Sequence, residues 1–255
     1  MDDLQRLRYS RHLLLPEWSE EAQERLLAAQ ALVIGAGGLG APALMYLASA
    51  GVGRITVIDH DTVDLTNLQR QIIHTTGRVG QPKVASACEA LAALNPAVQV
   101  QAVARAADDK LLRQWVPQAD VVLDCTDGFA IRQLINRICW LEGVPLVAAS
   151  AVGFDGQISL FDPRRPASPC YGCLFPPDQP PPEVRCATLG VFAPLVGMMG
   201  VMQAGEALKL LAGLDDISGH SPLCGRLLLV DGRRWQTTEL KVARDPHCPV
   251  CQLGG

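Results

Sequence analysis

The sequence predicts an α/β fold: a mainly parallel sheet with helices on both faces, running on into an antiparallel part and a small C-terminal lobe. Three observations carry this. From position 30 to 151, short apolar runs alternate with helix-like segments, the pattern of successive βαβ units. The first run stops at Gly35-Ala36-Gly37-Gly38-Leu39-Gly40 and the second at Asp59. Past Ala151 the alternation gives way to segments that read as antiparallel strands, a proline cluster and two Cys-x-x-Cys pairs.

Residues 1–29 read as a helical arm, with Arg6, Arg8 and Arg11 spaced along it ahead of Leu13-Leu14-Leu15-Pro16. Scattered charges suit a solvated arm; the functional alternative is an arm that delivers Arg11 to a phosphate, in a neighbouring subunit if the chain is oligomeric. Ala31-Leu32-Val33-Ile34 is a buried strand. After it, Gly35 allows a tight turn, Gly37 lets backbone amides approach a phosphate, and Gly40 lets the next helix lie close on the strand. Phosphate then sits at that helix's N-terminus, where unpaired N–H groups and the dipole favour an anion. The run ending at Ile58 is the second strand, and Asp59 stands where a carboxylate binds ribose hydroxyls. This Rossmann-like fingerprint specifies an adenine nucleotide without separating NAD, FAD and ATP.

Asp61 to Gln71 is polar where a plain Rossmann unit begins another helix. Asn67 and Arg70 lie one helical turn apart and can face the same way, and Lys83 follows. A dinucleotide's pyrophosphate is held by the glycine turn with little cationic help. A triphosphate about to lose pyrophosphate needs cations and metal aimed at the developing charge. The extra Arg and Lys favour ATP over NAD.

A helix is expected over 80–94, with Pro82 in its first turn and Asn95-Pro96 ending it. Then come a strand over 98–103, a short helix over 108–115, a buried strand over 119–124, a helix over 130–141 and a strand over 145–151. In such sheets ligand lies outside the carboxyl ends of the strands, and Gly38, Asp59 and Asp127 each fall just past one. Asp127 suits the N-cap of the following helix and equally a Mg²⁺ ligand beside phosphate oxygens; the two roles are compatible. Further on, 156–161 and 226–230 read as antiparallel strands. Pro176 to Pro182 should be an exposed, partly extended loop. The helix over 194–211 is apolar nearly all round, so it is buried in the domain or at a subunit interface. Gly197, Gly200 and Gly205 would allow close approach there.

Composition excludes several classes. With 255 residues, 49% of them hydrophobic, the chain can bury a sizeable core and is not disordered. A net charge of −4 and no long basic run argue against nucleic acid as the main partner. No apolar stretch reaches spanning length uninterrupted, so no membrane partner is expected. Met1 to Arg6 is not a secretory signal. Nine cysteines without an export signal point to reduced thiols in a cytoplasmic setting.

Cys170/Cys173 and Cys248/Cys251 form the strongest chemical signal. Tetrahedral Zn²⁺ accepts four thiolates, and each knuckle offers two. A redox pair is disfavoured because neither opens a helix after a strand. A closed four-sulfur shell is structural and clips the tail onto the body. Cys88, Cys125 and Cys139 read as buried packing residues, and Cys224 lies in a loop. Cys186 follows the proline cluster beside Arg185, where a thiolate next to a cation becomes reactive.

Arg8-Tyr9-Ser10-Arg11, the glycine turn, Asp59 through Asn67-Leu68-Gln69-Arg70-Gln71, Gly80-Gln81-Pro82-Lys83, Asp124-Cys125-Thr126-Asp127, the two Cys-x-x-Cys pairs and Cys186 ahead of Gly190-Val191 occur in one order. Over almost the whole chain this resembles the ThiF/MoeB/HesA adenylyltransferases, relatives of the ubiquitin-activating enzymes, and most nearly their stand-alone MoeB/ThiF type. The resemblance implies ATP-dependent adenylation of the C-terminal glycine of a small ubiquitin-like sulfur carrier (MoaD/ThiS type) ending in Gly-Gly. Acyl-adenylate and pyrophosphate form ahead of sulfur transfer in molybdopterin, thiamine or related biosynthesis. It implies ATP, Mg²⁺ and structural Zn²⁺, and a homodimer. Gly38 and Asp59 would hold phosphate backbone and ribose, and Asn67, Arg70 and Lys83 the triphosphate. Asp127 would position Mg²⁺, and Arg11 would reach the phosphates of the partner subunit's ATP. Cys186 matches a loop cysteine that links covalently to the carrier in some members.

The chain 1–255 is accordingly one adenylation domain: arm 1–29, nucleotide-binding part 30–151, and carrier- and zinc-binding part 152–255. Two positions depart from the family pattern: Gly128 stands where Asn is usual and His12 where Gln is common. No rhodanese-like domain follows Gly255, so a separate sulfur donor protein is expected. Gly254-Gly255 resembles a carrier's tail but reads as a flexible end. An NAD-dependent oxidoreductase would leave Arg11, Arg70, Lys83 and the cysteine lobe without work. A non-catalytic carrier-binding scaffold is hinted at only by Gly128.

Overall fold

The computed structural model describes residues 1–180, 190–214 and 223–254. Eight strands make one sheet in the order β3-β2-β1-β4-β5-β6-β7-β8. The strands β1 (Gln30–Ile34), β2 (Arg54–Ile58), β3 (Gln99–Val103), β4 (Val121–Asp124) and β5 (Leu146–Val152) run parallel. Then β6 (Asp155–Phe161), β7 (Arg226–Asp231) and β8 (Gln236–Lys241) pair antiparallel. The change of sense has a local cause. Parallel neighbours need a crossover helix, and four are present: α4 (Gly40–Ala50), α5 (Lys83–Leu94), α6 (Asp109–Trp115) and α7 (Phe129–Glu142). Only Gly153 and Phe154 separate β5 from β6, and Gly153 takes φ +57°, so the chain doubles straight back.

Strand order reverses between β1 and β4, which places a crevice at their carboxyl ends. In register, Ile34 sits opposite both Ile58 and Asp124, so β1, β2 and β4 end level.

The N-terminal arm is helical in three pieces, α1 (Asp3–Arg8), α2 (Ser10–Leu13) and α3 (Glu20–Ala28). Asp2 caps the first through a capping box and Ser19 caps the third by accepting from Ala22 N–H. Tyr9 pins the arm to the body. Its ring lies on Gly51, where a Cβ would come within 2.6 Å of it, and its hydroxyl accepts from Asn95 Nδ2 at 3.1 Å. Pro82 proves to be the residue before α5 rather than part of its first turn.

The two remaining helices are the one-turn α8 (Tyr171–Leu174) and the long α9 (Ala193–Ala212). By length and composition α9 is long and apolar enough to cross a bilayer, although Glu206 and Lys209 interrupt its apolar run. It is instead the core helix: Leu195, Val196, Met199, Ala204 and Ala207 are buried in the same apolar cluster as α4 and the sheet. Its fully buried Gln203 donates to Asp124 O at 2.8 Å and Val147 O at 3.1 Å, tying helix to strands. Of its glycines only Gly200 serves close approach; a Cβ there would stand 2.2 Å from Leu39 O. Gly197 and Gly205 face nothing within 4 Å, so that expectation fails for them. Strand β8 was not expected. All six of its residues are exposed, so it shows no apolar alternation, and its Lys and Glu suit a protected edge.

Candidate active site and cysteine centre

The glycine turn between β1 and α4 is shaped by what presses on it. Gly35 has φ +100°, and a Cβ there would lie 2.7 Å from Cys125 O. A Cβ on Gly40 would sit 1.9 Å from Gly35 O, so only glycine lets α4 start this close to its own strand. A Cβ on Gly38 would meet Val196 Cγ1 at 2.6 Å and the Arg70 stem at 3.5 Å. No side chain caps α4. Its leading N–H groups are therefore offered to an anion.

A ring of polar groups braces this turn. Asp59 Oδ2 accepts from Ala36 N–H at 2.7 Å and Oδ1 from Asp61 N–H at 2.8 Å. Buried His74 reaches Ala36 O at 3.0 Å through Nε2 and Ser86 Oγ at 2.8 Å through Nδ1. A carbonyl only accepts, so Nε2 carries the proton and neutral Nδ1 accepts from the serine. Burial is the main cause that lowers the His74 pKa, in keeping with a neutral ring. Gln71 is 3% exposed, with Nε2 3.6 Å from a Cβ built on Gly37 and Oε1 unpartnered among the described residues. Neither His74 nor Gln71 was singled out from sequence; no local pattern marks the first, and the second was one letter of a longer polar run.

The cations are placed unequally. Arg70 lies along Gly38 and donates from Nη1 to Thr66 O at 3.1 Å. Asn67 Oδ1 accepts from Asp64 N–H at 3.3 Å in a capping box, which leaves its N–H₂ group for a ligand. Lys83 is not a free cation. It is 6% exposed and its Nζ lies 2.8 Å from Asp61 Oδ2, a residue sequence reasoning passed over. The hydrogen bond from Lys83 holds the Asp61 carboxyl below the usual carboxylate range. Arg11 is exposed on α2 and makes no hydrogen bond or ion pair among the described residues, so it is not gathered with the others.

Between β4 and α7, Asp124 Oδ1 accepts from Thr126 N–H at 2.9 Å and Thr126 Oγ1 at 2.7 Å. The residue preceding α7 is Gly128, and no side chain caps the helix, which removes the N-cap reading of Asp127. Asp127 is exposed and without a partner among the described residues. A carboxylate left free at the level ends of three strands is available to a ligand. Gly128 has no need of positive φ, and a Cβ there would meet only Ile131 Cγ2, at 3.3 Å. Cys186 lies outside the described residues, as do Pro181 and Pro182 of the proline cluster.

On the far side of α7 the two Cys-x-x-Cys pairs converge. Sulfur separations are 3.6 Å for Cys170–Cys248, 3.9 Å for Cys170–Cys173 and 3.4 Å for Cys173–Cys251. All four sulfurs fall within 4.8 Å of one another. Disulfide sulfurs are about 2.05 Å apart, so none is bonded. Four thiolates at about 2.3 Å from a tetrahedral ion stand about 3.8 Å from each other, and the cluster fits that spacing. N–H groups aim at the sulfurs, as they do around bound metals: Asn136 Nδ2 to Cys170 at 3.5 Å and Asp245 N to Cys173 at 3.4 Å. Cys170 does precede a helix, the one-turn α8, a detail missed from sequence. The helix follows a loop, and each pair faces the other. Elsewhere Cys125 and Cys139 are buried and their thiols pushed up by burial, whereas Cys88 is only part-buried. Cys224 donates to Ser168 Oγ at 3.3 Å.

Comparison with known proteins places these features in a family. Residues 9–250 match the ThiF family. The sulfur carrier protein ThiS adenylyltransferase of Escherichia coli K12 is 45% identical over 98% of this chain and 97% of its own. The molybdopterin-synthase adenylyltransferase of the same organism is 41% identical over 98% of each. The SAMP-activating enzyme E1 of Haloferax volcanii is 43% identical over 100% of this chain and 92% of its own. Among solved structures, E. coli MccB with MccA-N7isoASN superposes with a TM-score of 0.83 over 96% of this chain and 74% of that one. At 23% identity it speaks for the fold alone. With a family match that runs over residues 9–250 and relatives 41% and 45% identical over almost their whole length, the chain belongs to the ThiF family.

Proposed function

We infer that the protein is an adenylyltransferase that uses ATP to activate the C-terminal glycine of a small ubiquitin-like sulfur carrier, ahead of sulfur transfer in thiamine or molybdopterin biosynthesis. The observation that carries this reading is the level ending of β1, β2 and β4. Just past those ends come the uncapped N-terminus of α4, Asp59, and Asp127, whose carboxylate has no partner among the described residues, and their sharing one crevice is what the reading requires. The names of the relatives point to the same carrier chemistry.

In this reading the triphosphate lies against Gly38 and the α4 N-terminus, with the ribose at Asp59. Asn67, Arg70 and Lys83 take the phosphates. The carrier's terminal carboxylate attacks the α-phosphorus, the bond to the β-phosphate oxygen breaks, and pyrophosphate leaves. Charge then moves onto the leaving group, and Arg70 and Lys83 are the groups to receive it. The Asp61 partner holds the Lys83 ammonium in one place in advance, which is how such stabilisation avoids reorganisation. Asp127 fits Mg²⁺, which takes one or two carboxylates and completes its shell with phosphate oxygens and water. When bound, that ion neutralises phosphate charge. The four cysteines fit Zn²⁺ as a closed structural centre.

A homodimer is supported by the arm itself. Leu4, Leu7, Leu14 and Leu15 are all exposed there, and Arg11 beside them has no partner among the described residues, which leaves it able to reach a neighbour's phosphates. A cytoplasmic setting and a separate sulfur donor belong to the same reading. The test is intact-mass analysis of a Gly-Gly-ended carrier incubated with the enzyme, ATP and magnesium. The carrier should gain the mass of one adenylyl group, with Cys186→Ala largely competent. An unmodified carrier alongside NADH-linked turnover would instead favour an oxidoreductase.

A further inference from the structure

Arg132 lies in the first turn of α7 and is 6% exposed. Its Nη2 donates to Thr126 O, and also to Ala149 O on β5 at 2.9 Å. No carboxylate pairs with it among the described residues. Burying a guanidinium without a counter-ion is costly. Here the guanidinium is met by two backbone carbonyls, with the Tyr171 hydroxyl as a further neighbour.

The carbonyl it grips has a particular place. Thr126 C=O belongs to the peptide plane whose N–H is that of Asp127, so fixing it fixes where the Asp127 backbone begins. Asp127 itself has no side-chain anchor among the described residues; its carboxylate sits wherever the 125–128 backbone puts it. Other bonds hold the preceding residues. Cys125 N–H donates to Ile34 O at 2.9 Å, Gln203 Nε2 to Asp124 O at 2.8 Å, and Thr126 N–H to Asp124 Oδ1 at 2.9 Å. Among the described residues only Arg132 holds the last peptide before Asp127, and it ties that peptide to the adjacent strand.

We propose that Arg132 is a positioning residue for adenylation: by clamping the Thr126–Asp127 peptide against β5, it aims the Asp127 carboxylate at magnesium-bound ATP. This rests on the reading of Asp127 as the magnesium carboxylate.

The test is a double-mutant cycle on equilibrium binding of α,β-methylene-ATP, with and without Mg²⁺. Arg132→Met should weaken magnesium-dependent binding about tenfold, within the range of coupled neighbours. Arg132→Lys, which keeps a charged donor there, should recover most of the loss. In an Asp127→Ala background, Arg132→Met should cost almost nothing further. Losses that multiply in the double variant, or magnesium dependence unchanged in Arg132→Met, would overturn the proposal. If Arg132→Met does not fold, Arg132→Gln replaces it in the cycle with the same expectations. Absence of magnesium-dependent binding in the unaltered protein is a different result: it overturns the reading of the crevice, and this proposal with it.

Discussion

The nucleotide crevice and the cysteine lobe lie on one helix and are built on opposite principles. In the lobe every sulfur comes from the described chain, three of the four cysteines are buried, and N–H groups already point at the sulfurs. In the crevice Asp127 is left unpaired among the described residues, and the glycine turn leads into a helix that no side chain caps. A structural centre is finished when the chain folds. A site that must meet a charged substrate keeps its charges uncommitted, and the fold invests instead in bracing what surrounds them: Asp59 and His74 on the glycine turn, Asp61 on Lys83, Arg132 on the Asp127 turn. Helix α7 serves both, because Arg132 and Asn136 are one turn apart on it.

That contrast predicts that damage separates by region. The largest effect on stability should follow Cys248→Ser, which breaks the four-sulfur shell. Bound metal should fall well below one per chain by elemental analysis, and the melting temperature should drop by on the order of 10 °C. Asp127→Ala should do the reverse, cutting pyrophosphate exchange about 10²–10³-fold while calorimetry shows melting essentially unmoved. Asn136→Ala sits between the two. It strips a donor from Cys170 and leaves the Tyr171 N–H unpaired, costing roughly 1–3 kcal/mol in denaturant titration, with binding of nucleotide little changed.

The smallest expected effect is one of pH. His74 is buried neutral and its pKa lowered, so the unfolded chain binds the proton more readily. Stability from this group is present above the ordinary histidine value of about 6.5 and lost as pH falls toward the depressed folded value, at no more than about 1.4 kcal/mol per pH unit. His74→Gln should flatten that part of the profile. An unchanged slope would show that the bonds to Ala36 O and Ser86 Oγ do not hold a neutral ring.

Much of the crevice was legible because its signals are local. The glycine turn, Asp59 and the paired cysteines are each contained in a few consecutive residues, and their residue types leave few alternatives. What stayed hidden depends on partners far along the chain. His74 acts on Ala36, and Gln203 on Asp124 and Val147. Arg132 reads in sequence as one more charge on an amphipathic helix. Asp61 looked like part of a polar run until Lys83 was seen against it. Strand β8 was lost for a different reason: an edge strand exposed along its whole length carries no period to read. Asp127 was weighed as a cap because Asp commonly caps, yet the chain places Gly128 there and no side chain caps the helix.

The central claim is that the free charges of this crevice exist to let a carrier's terminal carboxylate capture the α-phosphoryl group of ATP. Return of labelled pyrophosphate into ATP, measured with magnesium and a Gly-Gly-ended carrier, tests it directly. Exchange that requires the carrier and collapses in Asp127→Ala is the predicted result. ATP bound but never exchanged, with any such carrier, would contradict it.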